Sequence, residues 1–242
     1  MKRVFADLHL RPQLSHMDET RNLIGRAVDL GYKIIGLSLP IDVDPEVVKA
    51  LKREFPGVDL VTRVDLSPRS AGELLKLLGK VRWRFEVVAV ECTTREVALQ
   101  AAKDRRTDIL FHALEDQKKH FFSDSEAKLA SEKSAALEIN ISPLLYLSGP
   151  SRINLLRVLR KETAVAIKYG VPIVISSGAD KPLMLRRPED YAFLAYLIDL
   201  DLNGARRALS EAPKSIVERN RRKLSEDYVC PGVYIVRRGE DC

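Results

Sequence analysis

Short runs of apolar residues recur along this chain, separated by longer segments of mixed polarity, and this alternation constrains the fold more than any other feature. Each run is too short and too continuously apolar for a strand with one face in water. Each therefore predicts a strand buried on both faces of a parallel sheet. The runs lie at residues 4–6, 34–37, 60–61, 87–90, 109–111, 135–137 and 173–175.

Helices are predicted between these runs, and several of them have clear start signals. Ser70 with Glu73, and Thr93 with Glu96, have the spacing of a capping box. Pro188 is placed to open a helix, and the acidic residues after it favour the positive end of the helix dipole. The main helices of the C-terminal half are predicted at residues 151–169, 189–199, 203–209 and 214–224.

One strand in roughly every 25–35 residues, each followed by a helix, is typical of a TIM-like (β/α) barrel. A length of 242 residues also suits that fold. No apolar run marks an eighth strand after residue 199, so the barrel is expected to be irregular or incomplete at its eighth unit. A doubly wound open sheet is the alternative, although the chain lacks the Gly-rich nucleotide loop of that fold.

The barrel is predicted to form a single domain over residues 1–227, followed by a C-terminal tail over 228–242. Val229, Val233, Ile235 and Val236 indicate a short extra strand in this tail. Residues 237–241 are expected to fray.

The composition is that of a folded globular protein, with 45% hydrophobic and 31% charged residues. The formal net charge of +6 favours a polyanionic partner such as nucleic acid. Cys92, Cys230 and Cys242 lack metal-ligand spacing. Their odd number, without a leader sequence, indicates a reducing compartment, and we expect the cytoplasm. No apolar run approaches the roughly 20 residues of a membrane span, so no membrane contact is expected.

Catalytic residues of such barrels gather where the strands end, and four candidate metal ligands fall there: His9, Glu91, His112 and Asp180. A two-metal site built from them could hydrolyse phosphate esters. The set is sparse, because the chain has four histidines and no His-x-His sequence. We therefore predict neither a metal site nor catalytic residues.

Ser176 and Ser177 precede Gly178 at the end of the seventh run, which invites comparison with a nucleophile elbow. The Gly-x-Ser-x-Gly pattern of that elbow is absent. Two interpretations stay open. The segment ends the strand and turns the chain, or its hydroxyl and N–H groups also hold a phosphate.

Basic residues follow the sixth and seventh runs, at two strand–helix junctions of one predicted rim. Helix N-termini add positive potential at such a rim. These cations predict contacts with an RNA backbone. The residues are Arg152 and Arg157, which flank Asn154, together with Lys181, Arg186 and Arg187.

Two further basic groups are predicted to matter less. The group at 219–223 is interpreted as a solvated helix face in preference to a second RNA contact. The group formed by Arg82, Arg84, Lys103, Arg105 and Arg106 is expected on the opposite face of the barrel. Aromatic residues that could stack on bases are scarce, with one tryptophan, Trp83, so sequence-specific reading of single strands is not expected.

Several segments of the C-terminal half together resemble one protein family. They are ISPLLY at 141–146, RINLLR at 152–157, ISSGA at 175–179, LRRPED at 185–190, and ARRALSEAP at 205–213 leading into VERN at 217–220. In this order and spacing they resemble the family of ribonuclease P protein component 3. That family is the archaeal relative of the thirty-kilodalton subunit of eukaryotic nuclear RNase P. The N-terminal half matches in strand spacing more than in motifs.

The resemblance implies a barrel distantly similar to metal phosphoesterases of the polymerase-and-histidinol-phosphatase type, but without their metal ligands. Asp7-Leu8-His9 stands here where His-x-His would be. The resemblance also implies that an RNA subunit, using Mg²⁺, carries the chemistry. The protein would bind that RNA, hold no cofactor itself, and help to remove the 5′ leader from precursor tRNA.

The partners implied by the resemblance are RNase P RNA, protein component 2 in a 2:2 heterotetramer, other protein subunits and precursor tRNA. Arg186 matches the family's loop motif most closely, and Arg152 and Arg157 follow. Ser176 and Ser177 also match the family's motif, but the resemblance implies no role for them. Two other functions stay open as alternatives, a stand-alone metal phosphoesterase and a protein scaffold without RNA contacts.

Overall fold

A parallel sheet of seven strands in sequential order forms the centre of the molecule. The computed structural model describes residues 3–112, 122–230 and 233–236. All seven predicted apolar runs overlap a strand of this sheet, because these strands are buried on both faces. The strands are β1 (Ala6–Leu10), β2 (Ile34–Ser38), β3 (Asp59–Leu66), β4 (Val87–Glu91), β5 (Ile109–Phe111), β6 (Ala136–Asn140) and β7 (Ile173–Ser176).

The first and last strands of this sheet approach each other. Leu10 and Ala179 form a parallel bridge, and the Arg11 N–H donates to the Ala179 carbonyl at 2.8 Å. The sheet is therefore a nearly closed barrel of seven strands. This confirms both the TIM-like fold and the missing eighth unit, and the open-sheet alternative is wrong.

Helices surround the barrel, and most of their predicted positions are confirmed. The Ser70 hydroxyl accepts from the Glu73 N–H as predicted, but Thr94, not Thr93, caps the next helix through the Val97 N–H. The predicted helix 189–199 is an α-helix from Pro188 that tightens into a 3₁₀ turn over Ala195–Ile198. A second 3₁₀ turn spans Pro182–Met184. The α-helices are α1 (Met17–Asp29), α2 (Pro45–Glu54), α3 (Ala71–Val81), α4 (Arg95–Lys103), α5 (Asp124–Lys133), α6 (Pro143–Tyr146), α7 (Gly149–Tyr169), α8 (Pro188–Leu194), α9 (Leu202–Ala208) and α10 (Glu211–Leu224).

Helix α10 closes the N-terminal end of the barrel. Its Ile216 and Val217 are buried in one cluster with apolar residues that line the barrel interior, among them Ala6, Val61 and Val87. The larger apolar cluster lies outside the barrel, between the sheet and the surrounding helices. Helix α10 thus covers part of the barrel that an eighth strand–helix unit would cover in a complete barrel.

The C-terminal tail contains two short strands where one was predicted. They are β8 (Tyr228–Cys230) and β9 (Val233–Tyr234), and they pair antiparallel. The expected frayed segment 237–241 and Cys242 lie outside the described residues, and the boundary at residue 227 stays a prediction. Among the described helices, none combines the length and apolar character that crossing a membrane requires.

We expect Gly36→Ala to destabilise the fold, because β1 and β2 approach very closely at this residue. A Cβ at Gly36 would stand 2.7 Å from the carbonyl carbon of Leu8, and that carbonyl is held by a hydrogen bond from Arg63. Urea unfolding should show a loss of about 1–3 kcal/mol. Gly25→Ala, in α1 with no atom within 4 Å of the added Cβ, is the control and should be neutral or stabilising. Equal effects of the two changes would contradict the prediction.

Candidate functional site

A fully buried arginine lies inside the barrel, at the end where the strands terminate. Arg63 of β3 is 0% exposed. Its Nη1 and Nη2 atoms donate to the two carboxylate oxygens of Glu138 on β6, at 2.5 and 2.7 Å. Its Nε donates to Asp65 Oδ1 at 2.6 Å, and its guanidinium lies 5.5 Å from the centre of the Phe111 ring. This arginine therefore joins strands from different parts of the chain across the barrel.

His9 of β1 contacts the same carboxylates. Its Nε2 lies 3.2 Å from Asp65 Oδ2, and its Nδ1 lies 3.0 Å from Glu138 Oε2 and 2.9 Å from Asn140 Oδ1. Burial and the Arg63 charge lower the pKa of His9, but the two carboxylates outweigh them and raise it to about 9. Acceptor oxygens face both ring nitrogens and favour the imidazolium, against the opposing effect of Arg63 Nη2, which lies 3.2 Å from Nδ1.

Asp65 and Glu138 are ionised in turn, so two cations face two carboxylates. Burial raises the pKa of Glu138, but Arg63 and His9 outweigh burial and lower it to about 2. The same two cations hold the pKa of Asp65 well below its usual range, against the opposing effect of burial. The Ser176 hydroxyl donates to Glu138 Oε1 at 2.8 Å. We call His9, Arg63, Asp65 and Glu138 the interior ion network.

The four candidate metal ligands lie in separate surroundings. His9 belongs to the interior ion network, and Glu91 accepts a hydrogen bond from the Ser67 hydroxyl at the barrel mouth. His112 lies 3.4 Å from Glu162 of α7, and Asp180 lies 3.9 Å from Arg11.

The barrel interior does not fit a divalent metal. A metal there would have to compete with Arg63 and His9, which already neutralise the two interior carboxylates.

Cys92, His112 and Glu126 form a different group, in which one ligand atom from each residue lies within 4.8 Å of the others. All three residues are buried. Burial raises the pKa of the Cys92 thiol well above its usual range and raises the pKa of Glu126 to about 8. Both groups are thus protonated at neutral pH, and a metal would have to displace both protons. These three residues are separated in the sequence, so no motif indicated that they would lie close together.

Ser176 and Ser177 are buried, and their hydrogen bonds lie within the protein. The Ser177 N–H donates to Asp7 Oδ1 at 3.1 Å, and the Ser177 hydroxyl accepts from the Ala179 N–H at 3.1 Å. These contacts close the seam between β1 and β7. They favour the structural interpretation of the two serines over a phosphate-binding one.

The five predicted RNA-binding cations are all exposed, and none of them forms an ion pair with a residue in the described part of the chain. We call them the exposed cation set. Where their side-chain donors are engaged within the described residues, the acceptors are neutral. Examples are the Leu147 carbonyl for Arg152, at 2.5 Å, and the Asn154 side chain for Arg157, at 3.4 Å. The set is Arg152, Arg157, Lys181, Arg186 and Arg187.

The structure separates the exposed cation set into two groups. Arg152 and Arg157 lie in the first turns of α7, after β6, as predicted. The Arg186 carbonyl accepts a hydrogen bond from the Tyr32 hydroxyl at 3.1 Å, and Tyr32 belongs to the turn between α1 and β2. This hydrogen bond ties the segment between β7 and α8, which carries Lys181, Arg186 and Arg187, to the turn between α1 and β2.

Other arginines of the C-terminal half are bound to carboxylates. Arg206 pairs with Glu189 at 2.9 Å, and Arg221 pairs with both Asp59 and Glu86. The interpretation of 219–223 as a plain solvated helix face was therefore wrong for Arg221, which ties α10 to the N-terminal ends of the strands.

The fold defines a class, the TIM-like (β/α) barrels, and in this chain the barrel interior holds an ion network. The chain is similar to histidinol phosphate phosphatase from Lactococcus lactis, a structure with zinc, L-histidinol and phosphate. That similarity has a TM-score of 0.52 and 10% identity, and covers 89% of this chain and 93% of the other. At this identity it shows the shared fold.

Within that class, the chain belongs to the family described as RNase P subunit p30, whose model matches residues 4–225. The ribonuclease P protein component 3 of Methanococcoides burtonii is 31% identical over 235 residues, which cover 97% of this chain and 95% of the relative. A chain in a cryo-EM structure of archaeal ribonuclease P with mature tRNA has the same fold. Its TM-score is 0.81 at 21% identity, covering 98% of this chain and all of that one. The protein is thus a subunit of ribonuclease P, as the sequence motifs indicated.

We expect Arg63→Met to destabilise the protein strongly, because it leaves Glu138 and Asp65 buried without their main counterion. Breaking a buried ion pair on one side costs about 3–5 kcal/mol, which chemical unfolding can measure. Arg21→Met is the control, since Arg21 pairs with Glu54 on the surface, where solvent screens the pair, and its loss should change stability little. Similar losses in the two variants would show that the interior ion network does not stabilise the fold.

The protonation of His9 should appear in the pH dependence of stability. The folded-state pKa of about 9 exceeds the ordinary value of 6.5, so the folded state binds this proton more tightly. Its contribution is complete below about pH 6.5 and is lost as pH rises through about 9. The difference in unfolding free energy between the wild type and His9→Gln should therefore shrink over this range. A difference that stays constant from pH 6 to pH 10 would contradict a charged His9.

Proposed function

We propose that this chain acts in ribonuclease P by binding RNA through the exposed cation set, and that its own side chains perform no catalytic step. The observation that carries the proposal is a difference in the partners of two groups of basic residues. Arg63, Arg206 and Arg221 are bound to carboxylates, whereas the exposed cation set forms no ion pair within the described residues. Cations without an internal counterion can neutralise phosphates without first breaking a salt bridge.

The barrel interior supports the second half of the proposal. In metal-dependent hydrolases of related fold, strand-end residues hold the ions that activate water. In this chain, Arg63 and His9 place positively charged side chains near the corresponding strand ends. Unlike a metal ion, neither side chain can bind a water molecule and convert it to hydroxide. Mg²⁺ would then be used by the RNA of the holoenzyme, and the chain would need no cofactor of its own.

We further propose that the chain pairs with protein component 2, as a 2:2 heterotetramer, and works in the cytoplasm on precursor tRNA. One surface supports a protein partner. Phe193, Tyr196 and Leu197 follow each other closely at the end of α8 and in the 3₁₀ turn after it, and all three are exposed. Clustered exposed apolar side chains are typical of surfaces that become covered in an assembly.

Two alternatives predict different behaviour. A stand-alone metal phosphoesterase would turn over a phosphoester with Mg²⁺ or Mn²⁺ and no RNA subunit. A protein scaffold would support the holoenzyme without any salt-sensitive contact of its own to RNA. Reconstitution of precursor-tRNA cleavage from RNase P RNA and its proteins, with and without this chain, separates these possibilities.

We expect Arg186→Ala combined with Arg187→Ala to weaken binding of RNase P RNA and to reduce the restored cleavage. Each lost phosphate contact should lower the slope of log affinity against log salt by roughly one. Filter binding over a salt series measures both affinity and slope, and circular dichroism confirms folding.

The matched control removes two positive charges that are already paired. Arg21→Ala with Lys49→Ala changes the net charge equally, but these residues pair with Glu54 and Glu46. Equal weakening in both double variants would indicate a general charge effect, and no weakening in either would favour the scaffold. Metal-dependent turnover by the chain alone would overturn the proposed absence of catalysis.

A further inference from the structure

The chain's one tryptophan stands at the edge of a basic cavity on the N-terminal end of the barrel. Trp83 follows α3, in the turn before β4, and is 67% exposed. The cavity beside it has a volume of about 350 Å³. We call it the Trp83 pocket. The residues that define it here are Arg82, Trp83, Arg105, Lys133, Arg219 and Lys223.

The pocket is built from turns that are distant in sequence. Arg105 lies between α4 and β5, Lys133 ends α5, and Arg219 and Lys223 belong to α10. In a parallel barrel all these positions lie at the N-terminal end of the strands. The pocket is therefore at the opposite end of the barrel from the first turns of α7, where Arg152 and Arg157 lie.

One buried carboxylate organises the floor of the pocket. Asp108 Oδ2 accepts from Arg82 Nη1 at 2.5 Å, and Asp108 Oδ1 accepts from Arg219 Nη2 at 3.1 Å. Asp108 is 0% exposed, so the two guanidinium groups share a single internal negative charge. The floor thus keeps an excess of positive charge that is fixed in position.

Further cations add to this excess. Within the described residues, Arg105, Lys133 and Lys223 form no ion pair, and the acidic side chain that lines the pocket is Glu132. Lys223 is half-buried, and its pKa is lowered by burial and then by the nearby charge of Arg219. An anion in the pocket would relieve this repulsion between like charges.

The exposed indole adds a flat apolar surface to the cationic one. A large aromatic side chain left in water forgoes the gain from burial, so its exposure beside a cavity indicates a ligand surface. An indole face and several cations together match a nucleotide, because the base can stack on the ring while the phosphates contact the cations. An acidic peptide would satisfy the charges but would leave the indole face less well covered.

We infer that the Trp83 pocket binds an unpaired nucleotide of RNA, with its base stacked on the indole and its flanking phosphates held by Arg105, Lys133 and Lys223. This inference rests on the proposed RNA-binding function. It is compatible with the expectation that the chain does not read single strands sequence-specifically, because stacking on an indole tolerates any base. An RNA that contacts both ends of the barrel would have to do so through two separate segments.

The single tryptophan makes the test direct, since all tryptophan fluorescence comes from this site. Titration of the wild-type protein with a short oligoadenylate RNA should quench the emission with the same midpoint as binding. Trp83→Ala should weaken oligoadenylate binding roughly tenfold, the usual cost of losing one stacked base, and Trp83→Phe should restore most of the loss. Leu183→Ala is the control, since Leu183 is 86% exposed and lies after β7, far from the pocket. Because Trp83 is exposed, its replacement should leave the thermal unfolding midpoint unchanged.

The outcomes separate this inference from the proposed function. If Arg186→Ala with Arg187→Ala weakens binding of RNase P RNA, while RNA leaves the emission of Trp83 unchanged and Trp83→Ala binds normally, the pocket assignment is wrong and the proposed function stands. If neither variant affects RNA binding, both fail. Quenching by polyglutamate and not by oligoadenylate would assign the pocket to an acidic protein segment, and would also overturn the inference.

Discussion

The contact between Arg63 and Glu138 inside the barrel is the interaction on which the rest of the structure depends. It joins β3 to β6 across the interior, and Asp65, His9 and Ser176 extend it to β1 and β7. Burying four charges is costly unless each one is paired and hydrogen-bonded. Here the cations and carboxylates balance, and the bonds are short. The barrel mouth is therefore filled by a network that is fixed in place, because removing any member would leave the remaining internal charges unbalanced.

This network also distinguishes the interior of this ribonuclease P subunit from a metal site. A catalytic metal site needs carboxylates and histidines whose lone pairs are free to bind the ion. In this chain Arg63 and the protonated His9 engage those groups. Here these groups are held in charge pairs inside the barrel. The surface basic residues are then the main source of positive potential for a polyanionic partner.

Much of the fold could be predicted from the sequence, because strands buried on both faces carry a continuous apolar signal. The interior ion network could not. Arg63 and Asp65 alternate with apolar residues along β3, a pattern that normally indicates a face in water. Their main partner, Glu138, lies 75 residues beyond Arg63, so no local motif connects them. The five residues of the exposed cation set could be identified from the sequence. The hydrogen bond from Tyr32 that anchors the Arg186 backbone could not be predicted, because Tyr32 lies 154 residues away in the sequence.

Helix α10 links the incomplete barrel to the second basic surface. A barrel without an eighth strand–helix unit needs another element to cover its open end, and Ile216 and Val217 provide the apolar contacts. The polar side of the same helix carries Arg219, which shares Asp108 with Arg82 and so fixes the floor of the Trp83 pocket. The residues that close the barrel and those that shape the pocket are thus on one rigid element. A change that loosens α10 would disturb the barrel end and the basic surface together. The two ends of this barrel are therefore closed in different ways. Paired internal charges fill one end, and a helix with cationic side chains on its outer side covers the other.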